Sequence, residues 1–322
     1  MSGSGGRTER ESTMGLPARY PSRMHRLFLA CLLGAAGCID LDDFPSESIV
    51  TGPRVLAVVA EPPEVTPGNS LSVSTLVVDA DEVEIEYRIC GTFDGPFGGA
   101  QFGERDEEDC GERALLRGSG PTWVVPADAL AAFWSNADLI EAVLGGTLSV
   151  ETIDVIRNSV GIPLLIEITI QADGKELRAV KRVLLSENPE PHANPPPPAF
   201  DYGKLAVIGD LNETWNCTSA KPLIAKPNAR IELAPAVTDG TESWVEPYRV
   251  INARGEIEER EEREFYSWFA TGGDFESHLT RAPLRNQVWT APGTPGGHRL
   301  WLVVRDGHGG ESACGINVSV KS

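Results

Sequence analysis

The chain has 322 residues, with 28 Lys and Arg against 47 Asp and Glu, a formal net charge of −19 and 41% hydrophobic residues. That length suits about two domains at ~150 residues each, and the composition excludes both a multi-pass membrane protein and a wholly disordered chain. The negative charge repels phosphate backbones and anionic headgroups, which excludes a general nucleic-acid binder, while 33 Gly and 24 Pro fit a turn-rich β protein.

Residues 24–38 read MHRLFLACLLGAAGC: a basic start at His25 and Arg26, an apolar run over 27–33, then small residues ending at Cys38. This order is that of a secretory signal, and its apolar run falls well short of the ~20 residues a spanning helix needs. The tetrad Ala35-Ala36-Gly37-Cys38 resembles a bacterial lipobox, with Ala35 where the family usually has Leu. The resemblance implies that Cys38 is lipidated and becomes the amino terminus; Cys31 fits less well because bulky Phe28 stands three residues before it. Residues 1–37 are therefore read as a polar extension plus a lipoprotein signal peptide, with translation starting at Met24. Cleavage before Cys38 removes five Arg and two Glu and takes the net charge from −19 to −22. Ile39, rather than Asp, follows Cys38, which in lipoproteins of this kind favours the outer membrane. The membrane is thus an expected partner, engaged through acyl chains rather than a spanning helix.

Residues 38–52 are acidic and irregular and suit a short tether. A first β-sandwich domain is expected over 53–187. It starts with strands at 54–60, 71–78 and 83–90, the last alternating Val83, Ile85, Tyr87 and Ile89 with Glu82, Glu84, Glu86 and Arg88. The period then lengthens: Leu130, Phe133, Trp134, Ala137, Ile140 and Leu144 predict a helix over 127–144, bounded by Pro126 and Gly145-Gly146. A second helix is expected near 150–158. Strands at 164–172 and 176–185 form a hairpin through Asp173-Gly174. Residues 188–203, with prolines at 195–198, predict a polyproline spacer that keeps two bodies apart. The second domain, 204–322, has its clearest strands at 231–237, 264–270, 299–304 and 316–320. The charged run GEIEEREERE between the first two reads as a solvated loop or the exposed approach to a strand.

Three stretches carry a further resemblance. TAPGTPGGHRLWLVVRDGHGG is similar to the final hairpin of bacterial immunoglobulin-like and PKD-like repeats, REFYSWFATGG to their tryptophan-bearing central strand, with Trp268 as the buried residue, and residues 54–90 to their opening three strands. The whole resembles bacterial envelope lipoproteins with such domains. The implied fold class is mainly β: two immunoglobulin-like β-sandwiches, the first with a helical insertion, joined by a Pro-rich linker.

Besides Cys31 and Cys38 there are four cysteines, which allow three disulfide pairings in an exported chain. Cys90–Cys110 and Cys217–Cys314 are expected because each pair then lies within one domain. No CxxC or HxxxH spacing supports zinc at these cysteines. Asp94, Asp106 and Asp109, with neighbouring glutamates in the 91–109 loop, offer oxygens for calcium, but the spacing is not that of an EF-hand and most acidic loops are simply solvated. His278, His298 and His308 fall in or beside turns and are expected to be solvated, and His192 lies in the linker. Trp123, Trp134, Trp244, Trp289 and Trp301 could line a sugar-stacking surface, though buried core is the commoner use of such aromatics. With no HExxH, phosphate loop or dinucleotide fingerprint, no cofactor is expected. The sequence points to a non-catalytic, lipid-anchored protein of the cell envelope that contacts an envelope protein or a glycan. The alternatives are an envelope enzyme or accessory subunit acting on polysaccharide or peptide, or a calcium-dependent adhesion protein.

Overall fold

The computed structural model describes residues 47–90, 114–136, 150–204, 213–215, 222–236, 244–251 and 256–322. These described residues belong to a single compact unit. No helix among the described residues is long and apolar enough to cross a membrane.

The first half runs β1 (Arg54–Glu61), β2 (Glu64–Val65), β3 (Leu71–Val78), β4 (Val83–Cys90), β5 (Ala114–Ser119), β6 (Thr122–Val125), α1 (Ala127–Ser135), α2 (Val150–Ser159), β7 (Ile162–Ala172) and β8 (Lys175–Leu185). One sheet has the order β1-β3-β6 and the other β2-β8-β7-β4-β5. The alternation expected in β4 holds, with Ile85, Tyr87 and Ile89 buried, and the even residues of β7 from Ile162 to Ala172 are buried beside them. Val58 and Ala60 of β1, Leu71 and Val73 of β3 and Trp123 and Val125 of β6 close the core from the opposite sheet. Asp173 and Gly174 both have positive φ (48° and 77°), the two-residue turn whose twist matches paired strands. The Asp173 carboxylate also accepts the Glu82 amide at 3.0 Å. Helix α1 buries Leu130, Phe133 and Trp134 as expected; the rest of the expected helix, with Ala137, Ile140 and Leu144, lies outside the described residues.

The second half contains β9 (Ala199–Lys204), β10 (Glu213–Trp215), β11 (Leu223–Ala225), β12 (Arg230–Ala236), β13 (Pro247–Ile251), β14 (Ile257–Glu261), β15 (Phe265–Ala270), β16 (Asp274–Phe275), β17 (Leu279–Arg281), β18 (Gln287–Thr290), β19 (Gly296–Arg305) and β20 (Glu311–Val320). Sheets β10-β9-β12-β18-β16 and β11-β20-β19-β15-β17 face each other across a core containing Trp268, Trp289 and Tyr266. Trp268 is fully buried, and its indole N–H donates to Thr280 Oγ1 at 2.8 Å. The charged run supplies β14, the second strand of the hairpin β13–β14, which is exposed throughout.

In both halves the first, second and fifth principal strands share one sheet, while the third pairs with the last two in the other. β1-β3-β6 against β8-β7-β4 is matched by β9-β12-β18 against β20-β19-β15. This is the immunoglobulin connectivity, so the mainly β fold class is as the sequence implied.

The two sandwiches pack on each other. Val50, Leu56, Ala57 and Val78 bury against Trp301 and Val303, an apolar seam that takes these side chains out of water. Residues 48–50, expected within the tether, run alongside β15: Val50 N–H donates to Ala270 O at 2.8 Å and Ala270 N–H to Ser48 O at 2.9 Å. The Pro-rich segment does not hold the bodies apart. Asn194 donates to Ala60 O at 2.6 Å and accepts the Glu311 amide at 2.9 Å, and Ser312 Oγ donates to Pro196 O at 3.1 Å. Proline stiffness fixes the backbone but not what it packs against; here the segment fills the junction because Asn194 reaches strands of both sandwiches.

Candidate functional site

The junction gathers most of the buried charge among the described residues: Glu64, Lys181, Glu262, Asp306 and Glu311. On one side Glu311, at the start of β20, reaches back to the first sandwich. Its Oε2 lies 3.4 Å from Lys181 Nζ and accepts the Val58 amide at 3.2 Å. Its Oε1 lies 2.6 Å from Arg305 Nη2, an ion contact without hydrogen-bond geometry. Burial pushes the Lys181 ammonium below its ordinary pKa, with Glu311 opposing the shift.

On the other side His192, from the Pro-rich segment, sits among three carboxylates from separate parts of the chain. Glu64 of β2 accepts the His192 backbone N–H at 2.7 Å and the Ser186 hydroxyl, and lies 3.9 Å from His192 Nε2. Glu246, just before β13, has Oε2 3.0 Å from His192 Nδ1. Glu262, just after β14, has Oε1 3.5 Å from the same nitrogen, while its Oε2 accepts the Glu246 amide at 3.1 Å. The Glu262 side chain is 2% exposed, and its Oε1 makes no hydrogen bond. Burial lowers the His192 pKa, but Glu262, Glu64 and Glu246 more than offset it, so the net shift is upward.

His308 completes the cluster. Its ring centroid is 4.6 Å from that of His192 and 3.9 Å from that of Tyr248. The sequence led to the expectation of a solvated turn histidine, and this is corrected: His308 is 6% exposed. Asp306 ties the turn by accepting the His308 and Gly309 amides at 2.6 and 2.9 Å, and this directs the imidazole into the junction instead of outward. Burial, with the positive fields of His192 and Arg182, pushes His308 down to about 3, so it is neutral at physiological pH. Burial likewise raises Asp306 to about 6, opposed by its backbone donors.

Four of the five candidate tryptophans do not form a sugar platform: Trp123, Trp134, Trp289 and Trp301 are all at most 8% exposed, and Trp244 is partly buried against the second core. Trp123 stacks on Tyr87 at 5.6 Å, and Trp301 lies in the seam. His278 is exposed and lies 3.3 Å from Glu47. Cys314 is buried on β20 and disulfide-bonded. Cys38, Cys110 and Cys217 and the calcium candidates Asp94, Asp106 and Asp109 lie outside the described residues; Cys90 ends β4.

Sequence reasoning missed the His192 cluster because its members are 64, 192, 246 and 262. A signal was present: Glu262 and Glu264 are in phase with Tyr266 and Trp268, and all four are buried. Glu264 finds its own partner, accepting from Arg285 Nη2 at 2.9 Å, which leaves Glu262 to the junction.

No family model matches the chain, and no curated protein matches it. Among solved structures it is similar to a Bacteroides ovatus mixed-linkage glucan utilization locus protein, SGBP-B, in complex with a mixed-linkage heptasaccharide. That match has 12% identity, 85% of this chain and 48% of that chain covered, and a TM-score of 0.18. It is also similar to the D0-D1 domain of Intimin, with 7% identity, 83% and 99% covered and a TM-score of 0.21. The Yersinia pseudotuberculosis adhesin InvE gives 10% identity, 83% and 58% covered and a TM-score of 0.18. The chain spans about half the length of the glucan-locus protein.

Proposed function

We propose that this protein is a non-catalytic, lipid-anchored component of the cell envelope. It would be attached to the outer membrane through Cys38, stapled by Cys90–Cys110 and Cys217–Cys314, and would present two immunoglobulin-type sandwiches as one rigid body to an envelope protein or a glycan. The carrying observation is the junction: the Val50, Leu56, Ala57, Val78, Trp301 and Val303 seam and the Asn194 clamp couple the sandwiches. A rigid body attached at one end holds distant loops at a fixed height and orientation, which lowers the ordering cost of meeting a partner. The lipobox-like tetrad ending at Cys38 supplies the anchor in this reading. More than one acyl chain is needed for stable attachment, at ~0.8 kcal/mol per buried CH₂.

Metabolic labelling with a palmitate analogue, followed by envelope fractionation of wild type and Cys38→Ala, tests the anchor. The expected result is label and outer-membrane recovery for wild type, both lost in the variant. Unlabelled wild type recovered without detergent would contradict the reading.

A further inference from the structure

The His192 cluster is unusual in its charge inventory. Three carboxylates converge on one imidazole, and Glu262 keeps one buried oxygen without a hydrogen bond. That oxygen meets His192 Nδ1 at 3.5 Å as an ion contact without hydrogen-bond geometry, so its bonding capacity is not filled. His192 Nδ1 and carboxylate oxygens of Glu246 and Glu262 all lie within 4.8 Å of one another. A tetrahedral zinc ion with bonds of ~2.0–2.1 Å separates its ligand atoms by about 3.3 Å. The Nδ1 distances of 3.0 Å to Glu246 and 3.5 Å to Glu262 bracket that value.

We infer that His192, Glu246 and Glu262 form a binding site for a first-row divalent cation of the zinc class, seated at the junction of the two sandwiches. One nitrogen and two carboxylate oxygens are a donor set that zinc accepts readily and that calcium, which prefers six to eight oxygens, does not. Two of the three ligands are already oriented. The Glu262 carboxylate is fixed by the Glu246 amide, and the His192 backbone is fixed by Glu64. Glu64 also stands 3.9 Å from the ring nitrogen opposite the ligating one, where carboxylates commonly tune metal-bound histidines. Glu246 is the exposed member, with 44% of its side chain accessible. A cleft of about 340 Å³ lined by His192, Pro247 and Tyr248 reaches the imidazole member of the cluster from solvent. A bound ion takes His192 Nδ1 in its deprotonated form. The ion then bridges the Pro-rich segment to the β13–β14 hairpin, while Glu64 links that segment to the first sandwich.

The test is zinc titration of the full chain after chelator treatment, by calorimetry and thermal melting, alongside calcium at the same concentrations. Wild type is expected to bind one zinc more than His192→Gln or Glu262→Gln, with a raised melting temperature that calcium does not reproduce. Glu246→Gln, at a half-exposed position where the change leaves the fold intact, is expected to weaken that zinc at least tenfold. X-ray absorption of the loaded protein should show nitrogen and oxygen neighbours and no sulfur. Equal zinc stoichiometry and affinity in wild type and Glu246→Gln, or sulfur in the first coordination sphere, would overturn the assignment and leave the cluster as an ion pair only.

Discussion

Glu311→Gln probes the junction at its most sensitive point. Glu311 and Lys181 are each 6% exposed and their charges lie 3.4 Å apart, so at an effective dielectric of ~20 their attraction is about 5 kcal/mol. Removing the carboxylate charge strands a buried ammonium, for which the usual cost is ~3–5 kcal/mol. Lys181 can escape by losing its proton. From an ordinary pKa of ~10.4, that caps the cost at about 5 kcal/mol at pH 7 and lowers the cap by ~1.4 kcal/mol per pH unit above it. Lys181→Met behaves differently, because Glu311 keeps the Val58 amide and Arg305; its expected cost is within ~1.5 kcal/mol, that of a well-packed hydrophobic replacement. Urea unfolding followed by tryptophan fluorescence should therefore show Glu311→Gln strongly destabilised at pH 7, less so at pH 9, and partly rescued by adding Lys181→Met. A Glu311→Gln cost below ~1 kcal/mol, or no rescue in the double variant, would refute the assignment of the pair as a buried, mutually dependent unit.

Three further outcomes follow from local geometry. Gly174→Ala meets no neighbouring atom but must hold φ near +77°, so it should cost ~1 kcal/mol in urea unfolding. Gly118→Ala would drive its Cβ into the Trp123 ring; an overpacking cost of ~1–3 kcal/mol should come with a changed near-ultraviolet circular dichroism signal from the Tyr87–Trp123 stack. Asp306, raised from 3.8 to about 6 by burial, binds its proton more tightly folded than unfolded. Its stabilising contribution is thus present below pH 3.8 and lost as pH rises through about 6. Relative to Asp306→Asn, wild type should gain about 2 kcal/mol between pH 7 and pH 4, read as the difference between their urea-unfolding free energies.

The sequence was most informative where one period or one turn determines the outcome. The alternation in residues 83–90, the Asp173-Gly174 hairpin and the α1 face are all local patterns, while the burial of Trp268 came from the resemblance of its strand to immunoglobulin-like repeats. The junction was not legible because its chemistry is assembled from residues far apart in the chain. Asn194 lies in a segment whose prolines suggested a spacer, yet its side chain amide bridges Ala60 and Glu311. Glu262 sits in a run whose exposed members, the whole of β14, dominate its composition. Only the inward phase it shares with Tyr266 and Trp268 separates it from them. His308 was misjudged because turns are usually solvated, whereas this turn is held by Asp306 against the segment carrying His192.

The central claim, that the sandwiches move as one body, is tested most directly by electron–electron spin distance measurement. Labels are introduced through ketone-bearing amino acids, which leave the cysteines untouched. Val180 on β8 and Ile224 on β11 are exposed, at 40% and 49%, and report on different sandwiches. A single narrow distance distribution, unchanged between the isolated full chain and the chain in membranes, is the expected result. A broad distribution spanning many separations would show two independently moving bodies and contradict the account.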